Sequence, residues 1–373
     1  MITAVALVLL AAVVAYALFG GADFGAGFWD LTAGGPERGA RPRAVIERSI
    51  GPVWEANHVW LIFIFVVLWT AFPEAYASIT LTLFVPLMIA ALGIVLRGSS
   101  FAFRKVVVTT RNRRLFGAAF AASSVLVPYC MGAIVGGIAT GRVPPGGQAG
   151  DPVDSWINPT SVVGGILAVA AAAYLSAVYL EWDARRLGQT DMVEYFRRRA
   201  VAAAVTVAVI AAAGSFVLHA DADYLFDGLT TRALPVLILS SACGAGAVLL
   251  LVRDASRGAR ALALIAVAGA VISWGVAQWP YVLPETLTFT AAAAPPGTLT
   301  AVLVAVALAA LIVVPGFVLL YVLDQRGLLP EEGVDDAVDP AVDPAVDHRA
   351  RRRPATASAT TTDSHHRIEE PGR

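Results

Sequence analysis

The chain has 373 residues, 57% of them hydrophobic and 15% charged, with a mean hydropathy of +0.70 and a formal net charge of −1. A soluble domain averages about 45–50% apolar and about 25% charged residues, so the composition argues against a water-soluble globule, and the near-neutral charge offers no footing for nucleic acid. Cys130 and Cys243 sit inside apolar blocks without zinc or redox spacing and read as small core residues.

The apolar excess falls in blocks long enough to cross a hydrocarbon layer about 30 Å thick. In chain order the predicted spans are 2–24, 53–72, 76–96, 115–138, 161–180, 200–219, 233–252, 261–279 and 298–322. No basic stretch precedes the first, which therefore reads as a retained helix rather than a cleaved signal peptide. A short hinge at Phe72-Pro73-Glu74 separates the second span from the third.

Charge supports this count. Arg38, Arg41, Arg43 and Arg48 follow the first span; Arg97, Arg104, Lys105, Arg111, Arg113 and Arg114 follow the third. Arg185, Arg186, Arg197, Arg198 and Arg199 come next, then Arg253, Arg257 and Arg260, whereas the alternate loops hold only Arg142 and Arg232. By the positive-inside rule the N-terminus faces outward and the C-terminus faces the cytoplasm.

The expected architecture is all-α and membrane-embedded, with about nine spans as two four-helix bundles and a peripheral helix. Residues 1–138 make the first bundle, 139–160 a Pro/Gly-rich outer linker, and 161–279 the second bundle. Residues 280–325 make an outer turn at WPYVLPE and the ninth helix, and 326–373 a disordered cytoplasmic tail with AVDP repeats, in which His365 and His366 read as an untidy terminus.

Ionisable groups inside a bilayer are costly and mark function by default. Asp23 lies in GGADFGAGFWD near the inner end of the first helix, and SIGPVWEANHVWL opens the second with Glu55, Asn57 and His58 in its first two turns. Glu55 and His58 are three apart and share a face, at a depth similar to that of Asp23. Such a group, with few basic partners in the core, can pass protons; the same acids can equally be interfacial partners of Arg38, Arg41, Arg43 or Arg48. Asp30, Glu181 and Asp183 lie nearer the interface, where pairing is the simpler reading. Trp60 follows Asn57 by three residues on the inward-going helix and is set apart from the interfacial tryptophans.

Within the predicted helices only His58 and His219 could bind a haem iron, and they fall near opposite faces of the membrane. No metal triad or phosphate-binding loop is present in the sequence, so no complete redox centre is expected in this chain.

GADFGAGFWDL, SIGPVWEANHVWLI, LRGSSFAFR and WPYVLP, in this order, resemble subunit II of cytochrome bd-type quinol oxidases over residues 1 to about 325; the acid-x-Asn-x-Val-Trp run is the most specific of them. The resemblance implies a bacterial cytoplasmic-membrane complex that oxidises quinol and reduces oxygen to water with protons from the cytoplasm. It further implies that haems b and d and the quinol-oxidising loop belong to a partner, subunit I. This chain would be a haem-free second subunit that supports haem assembly and contributes to proton access and an oxygen route. Small accessory subunits and a structurally bound quinone or lipid are compatible with it.

By position, Asp23, Glu55, Asn57 and His58 fall on the implied proton path. Trp60 falls at an oxygen route or subunit interface, and Arg97 and Arg104 are structural anchors ending the third helix. This chain departs from the pattern at Gly20 and Ala102, where relatives often carry acids, and at His58, often Gln. The competing expectation is a stand-alone ion or solute transporter using the same acids. Transporters, however, break helices near the midplane, and here the polar groups gather near one face.

Overall fold

The computed structural model describes residues 1–35, 37–50, 54–106, 110–255 and 257–325. The side chains of some residues at segment edges, among them Glu55 and Arg104, lie outside that description, as does the tail 326–373. The described residues all belong to one unit.

In chain order the described elements are α1 (Ile2–Thr32), α2 (Ala40–Ile50), α3 (Trp54–Ala71), α4 (Pro73–Thr82), α5 (Phe84–Val106), α6 (Thr110–Ala139), α7 (Pro159–Arg186), α8 (Thr190–Asp221), α9 (Asp223–Thr230), α10 (Leu234–Val252), α11 (Ala259–Gln278), the hairpin strands β1 (Tyr281–Leu283) and β2 (Leu287–Thr288), α12 (Phe289–Ala292) and α13 (Pro296–Gln325). Seven described helices are long and apolar enough to cross a membrane, and an eighth span arises if α4 and α5 are taken together. The segment expected as the second span corresponds to α3, whose described apolar part, Asn57–Ala71, is shorter than a full crossing. The protein is thus an all-α membrane protein.

The third expected span, 76–96, is not one straight helix: α4 and α5 meet at an angle of 83°. Pro86 explains the break. It has no N–H to bond the carbonyl of Thr82, so α4 ends there, and α5 restarts with the Leu87 N–H donating to the Leu83 carbonyl at 3.1 Å. From Phe84 onward α5 alone has 23 residues, about 34 Å of helix. The bend therefore moves the crossing segment toward its C-terminal residues and draws Arg97 inside it.

The loop 139–160 is more than a linker. The backbone N–H groups of Gly146, Gly147 and Gly150 donate to Glu74 Oε1, Ser78 Oγ and Thr82 Oγ1 at 2.8, 3.0 and 3.0 Å, three acceptors spaced one turn apart along α4. Gly146 and Gly147 adopt φ of 82° and 64°, which favours glycine. At the end of this loop Asn158 caps α7 by accepting from the Ser161 N–H, with Pro159 in the first turn.

Helix α1 is central, packing against α7, α3 and α6. The approach is close because small residues line it. A side chain at Gly25 would run into the Ala172 carbonyl, one at Gly27 into Ser124, and Gly132 of α6 faces Gly164 of α7. α13 packs on α3 and α1 but leaves Leu311 and Ile312 about three-quarters exposed, as a peripheral, lipid-facing helix would. The short helix α2 lies in a stretch expected only as a loop; it buries Val45 and Ile46 against the α1–α7 core.

Candidate functional site

Three helices bring the polar groups together: Tyr16, Asp23 and Phe24 from α1, Asn57, His58 and Trp60 from α3, and Arg97 from α5. His58 lies thirteen residues before the end of α3 and Arg97 thirteen residues after the start of α5, so both are about 20 Å from the end of the bundle where these helices meet α4. The 83° bend sets this register. A straight third helix over 76–96 would leave Arg97 just beyond its end.

Arg97 is 1% exposed and Asp23 is 7% exposed. Arg97 Nη2 donates to Asp23 Oδ1 and to the Asp23 backbone carbonyl, both at 2.9 Å. The guanidinium also lies over the rings of Phe24 and Phe120, at 5.2 and 4.5 Å from their centroids. Burying either charge alone costs several kcal/mol, so each requires the other and the added hydrogen bonds.

One sequence expectation is corrected here: Asp23 has a basic partner inside the core, and it is none of Arg38, Arg41, Arg43 or Arg48. Arg97, expected as a structural anchor at the end of the third helix, is the other half of that buried ion pair. The interfacial pairing expected for Asp30 is present: Arg43 Nε donates to Asp30 Oδ1 at 2.8 Å. Glu181 is paired in the same way with Arg185.

His58 stands beside the pair, its ring centroid 5.7 Å from Phe24 and 6.5 Å from Tyr16. Asn57 is half-buried on the same helix. Trp60 stacks on Phe19 at 6.5 Å and meets the edge of Phe63 at 6.4 Å. The side chains of Glu55 and Arg104 lie outside the described residues. Sequence reasoning missed Tyr16 and Phe120. The signal for Arg97 was available in the uncharged stretch that continues past it to Phe103.

Among the described residues, the two histidines do not fit a haem held between them. His58 is one turn into α3, whereas His219 is near the opposite, C-terminal end of α8, largely exposed beside Asp223. Among the described residues no three His, Cys, Asp or Glu side chains gather as metal ligands.

Residues 1–324 match the family model described as cytochrome bd terminal oxidase subunit II. The chain belongs to this family. Among its relatives, cytochrome bd-I ubiquinol oxidase subunit 2 of Escherichia coli K12 is 26% identical over 57% of this chain and 56% of its own length. The chain therefore matches little more than half the length of that relative. The putative cytochrome bd menaquinol oxidase subunit II of Bacillus subtilis is 22% identical over 85% of this chain and 94% of its own. A chain in the structure of bd oxidase from Geobacillus thermodenitrificans superposes with a TM-score of 0.67 at 24% identity, covering 84% of this chain and 95% of that one. That likeness is one of fold. Within the subunit II family, the buried pair and the start of α3 are the features to explain.

Proposed function

We propose that this chain is the haem-free second subunit of a bacterial cytoplasmic-membrane quinol oxidase. In that complex two quinols are oxidised and one O₂ is reduced to two waters, with haems b and d held by subunit I. The second subunit supports haem assembly and delivers protons from the cytoplasmic side toward the partner's oxygen site. The single observation that carries this reading, beyond family membership, is the Asp23–Arg97 pair beside His58, one turn inside α3. A charged, hydrogen-bonded group so far inside an apolar bundle is costly, and proton conduction gives it a purpose.

The nine-span topology, with α3 and the α4–α5 unit each counted as a crossing, the basic ends cytoplasmic and two four-helix halves flanking the outer loop, belongs to the same proposal. So do Glu55, His58 and Asn57 as proton-path groups, Trp60 at an oxygen route or the subunit interface, and a bound quinone or lipid. The break before α5 lies about 20 Å along the helix from the Asp23–Arg97 pair, at the end of the bundle where α3 meets α4, so the polar group is not built on a broken helix, which argues against the transporter reading.

The test is Glu55→Ala in the purified two-subunit complex. Quinol-driven oxygen consumption and proton uptake should fall while the haem spectrum of the complex is retained. Unchanged oxygen consumption in a fully assembled variant would sink the pathway. A colourless single-chain preparation would sink the oxidase reading itself.

A further inference from the structure

Three polar atoms inside the bundle, each on a side chain at least nine-tenths buried, have no hydrogen-bond partner among the described residues: Tyr16 Oη, Asp23 Oδ2 and Arg97 Nε. They belong to one neighbourhood. Tyr16 precedes Asp23 by seven residues, two turns along the same face of α1, and it packs in one buried cluster with Phe24, the neighbour of Asp23. A Cβ built on Gly20 would come within 2.9 Å of Tyr16 Cε2, so the ring fills the space that the missing side chain leaves. The same ring faces His58.

An unmade hydrogen bond on a buried group is costly, and most so for charged groups. The side chains closing over the pair, Phe24 and Phe120, are apolar and cannot make up the deficit. A hydroxyl, a carboxylate oxygen and a guanidinium N–H together provide about the three partners that a buried water takes. Arg97 Nη2 already holds Asp23 Oδ1, which leaves Oδ2 as the open acceptor.

We propose that Tyr16 Oη, Asp23 Oδ2 and Arg97 Nε enclose an internal water site, and that Tyr16 is the positioning residue that holds this water between Asp23 and His58. The phenol neither ionises nor forms a covalent bond in this role. It donates one hydrogen bond, accepts another, and reverses the two by rotating about its C–O bond. Gly20 is required because any side chain there displaces the ring. The inference rests on the proton-delivery reading of the site.

Two measurements on the assembled complex test it. X-ray radiolytic footprinting, which oxidises side chains next to bound water, should label Tyr16 well above Phe196, which is fully buried in an apolar cluster. Labelling of Tyr16 no greater than that of Phe196 overturns the water site. Tyr16→Phe, which removes only the hydroxyl, should slow oxygen consumption by about three- to tenfold, the factor one hydrogen bond is worth, and enlarge the H₂O/D₂O rate ratio. The double variant Tyr16→Ala with Gly20→Asp, which returns a polar group to the same space, should restore most of the rate. If Tyr16→Phe turns over like the parent while Glu55→Ala is slowed, the positioning role is wrong and the pathway stands. If both turn over like the parent, the pathway reading fails and this inference goes with it.

Discussion

Two acid–arginine clusters in this protein use the same chemistry in opposite surroundings. Inside the bundle Asp23 and Arg97 are sealed by Phe24 and Phe120. At the basic end of the bundle Asp254 accepts from Arg185 and pairs with Arg197, in a turn where its side chain is more than half exposed. The two guanidinium groups, that of Arg185 first, hold the Asp254 carboxyl below the usual carboxylate range. Its charges remain solvated, so loss of one partner is absorbed by water. The inner pair has no such reserve. The contrast separates a surface clasp between the α7–α8 and α10–α11 turns from a pair whose two members are obligatory to each other.

The sharpest way to break this contrast is Arg97→Leu, which strands a buried carboxylate. It should cost about 3–5 kcal/mol, seen as a large drop in the melting temperature and yield of the complex. Adding Asp23→Leu should return most of that loss, because a well-packed apolar pair can replace a buried ionic one. Failure of the double variant to recover would mean that the inner pair stabilises in its own right. Next comes Gly25→Val, whose side chain would meet the Ala172 carbonyl and force α1 away from α7 beside the pair, costing about 1–3 kcal/mol or more. A melting temperature like the parent's would show that the close approach is dispensable.

Trp29→Phe should be milder. It removes the bond from Trp29 Nε1 to the Ala173 carbonyl, 2.8 Å long and buried, and should cost about 1 kcal/mol by thermal unfolding. Asp254→Asn should be smallest, below about 1 kcal/mol at neutral pH after allowance for solvent screening. Because the folded-state pKa of Asp254 is depressed, its contribution is fully present above the unfolded value near 3.9 and fades as pH falls through the folded value. Parent and variant melting temperatures should therefore differ slightly at pH 7 and converge below about pH 4.

The sequence and the structure diverge where hydropathy is blind. The spans corresponding to α1, α7, α8, α10 and α11 were legible because lipid demands a continuous apolar surface, and the meeting of Asp23 with the start of α3 followed from the opposite directions of two consecutive helices. Pro86 hardly changes a hydropathy average, yet it removes one backbone donor, turns α4 through 83° and resets the depth of Arg97. The partner of Asp23 was hidden for this reason. Val45 and Ile46 were hidden differently: two apolar residues among arginines read as loop until a neighbouring groove is known to receive them. Tyr16 was invisible as a site residue because an aromatic in a membrane helix is ordinarily packing, and only the empty volume over Gly20 shows where its ring goes.

The strap over α4 has a practical consequence. All of its donors are main-chain N–H groups, so the fastening is indifferent to most of the loop's side chains and strict about Gly146 and Gly147 for their backbone conformation, about Gly150 for want of space beside Thr82, and about the acceptors Glu74, Ser78 and Thr82. The turn at residues 151–154 carries none of these fastenings and is exposed. A short epitope or a single fluorophore attached there should report from the loop's side of the membrane while leaving the seating of α4 undisturbed.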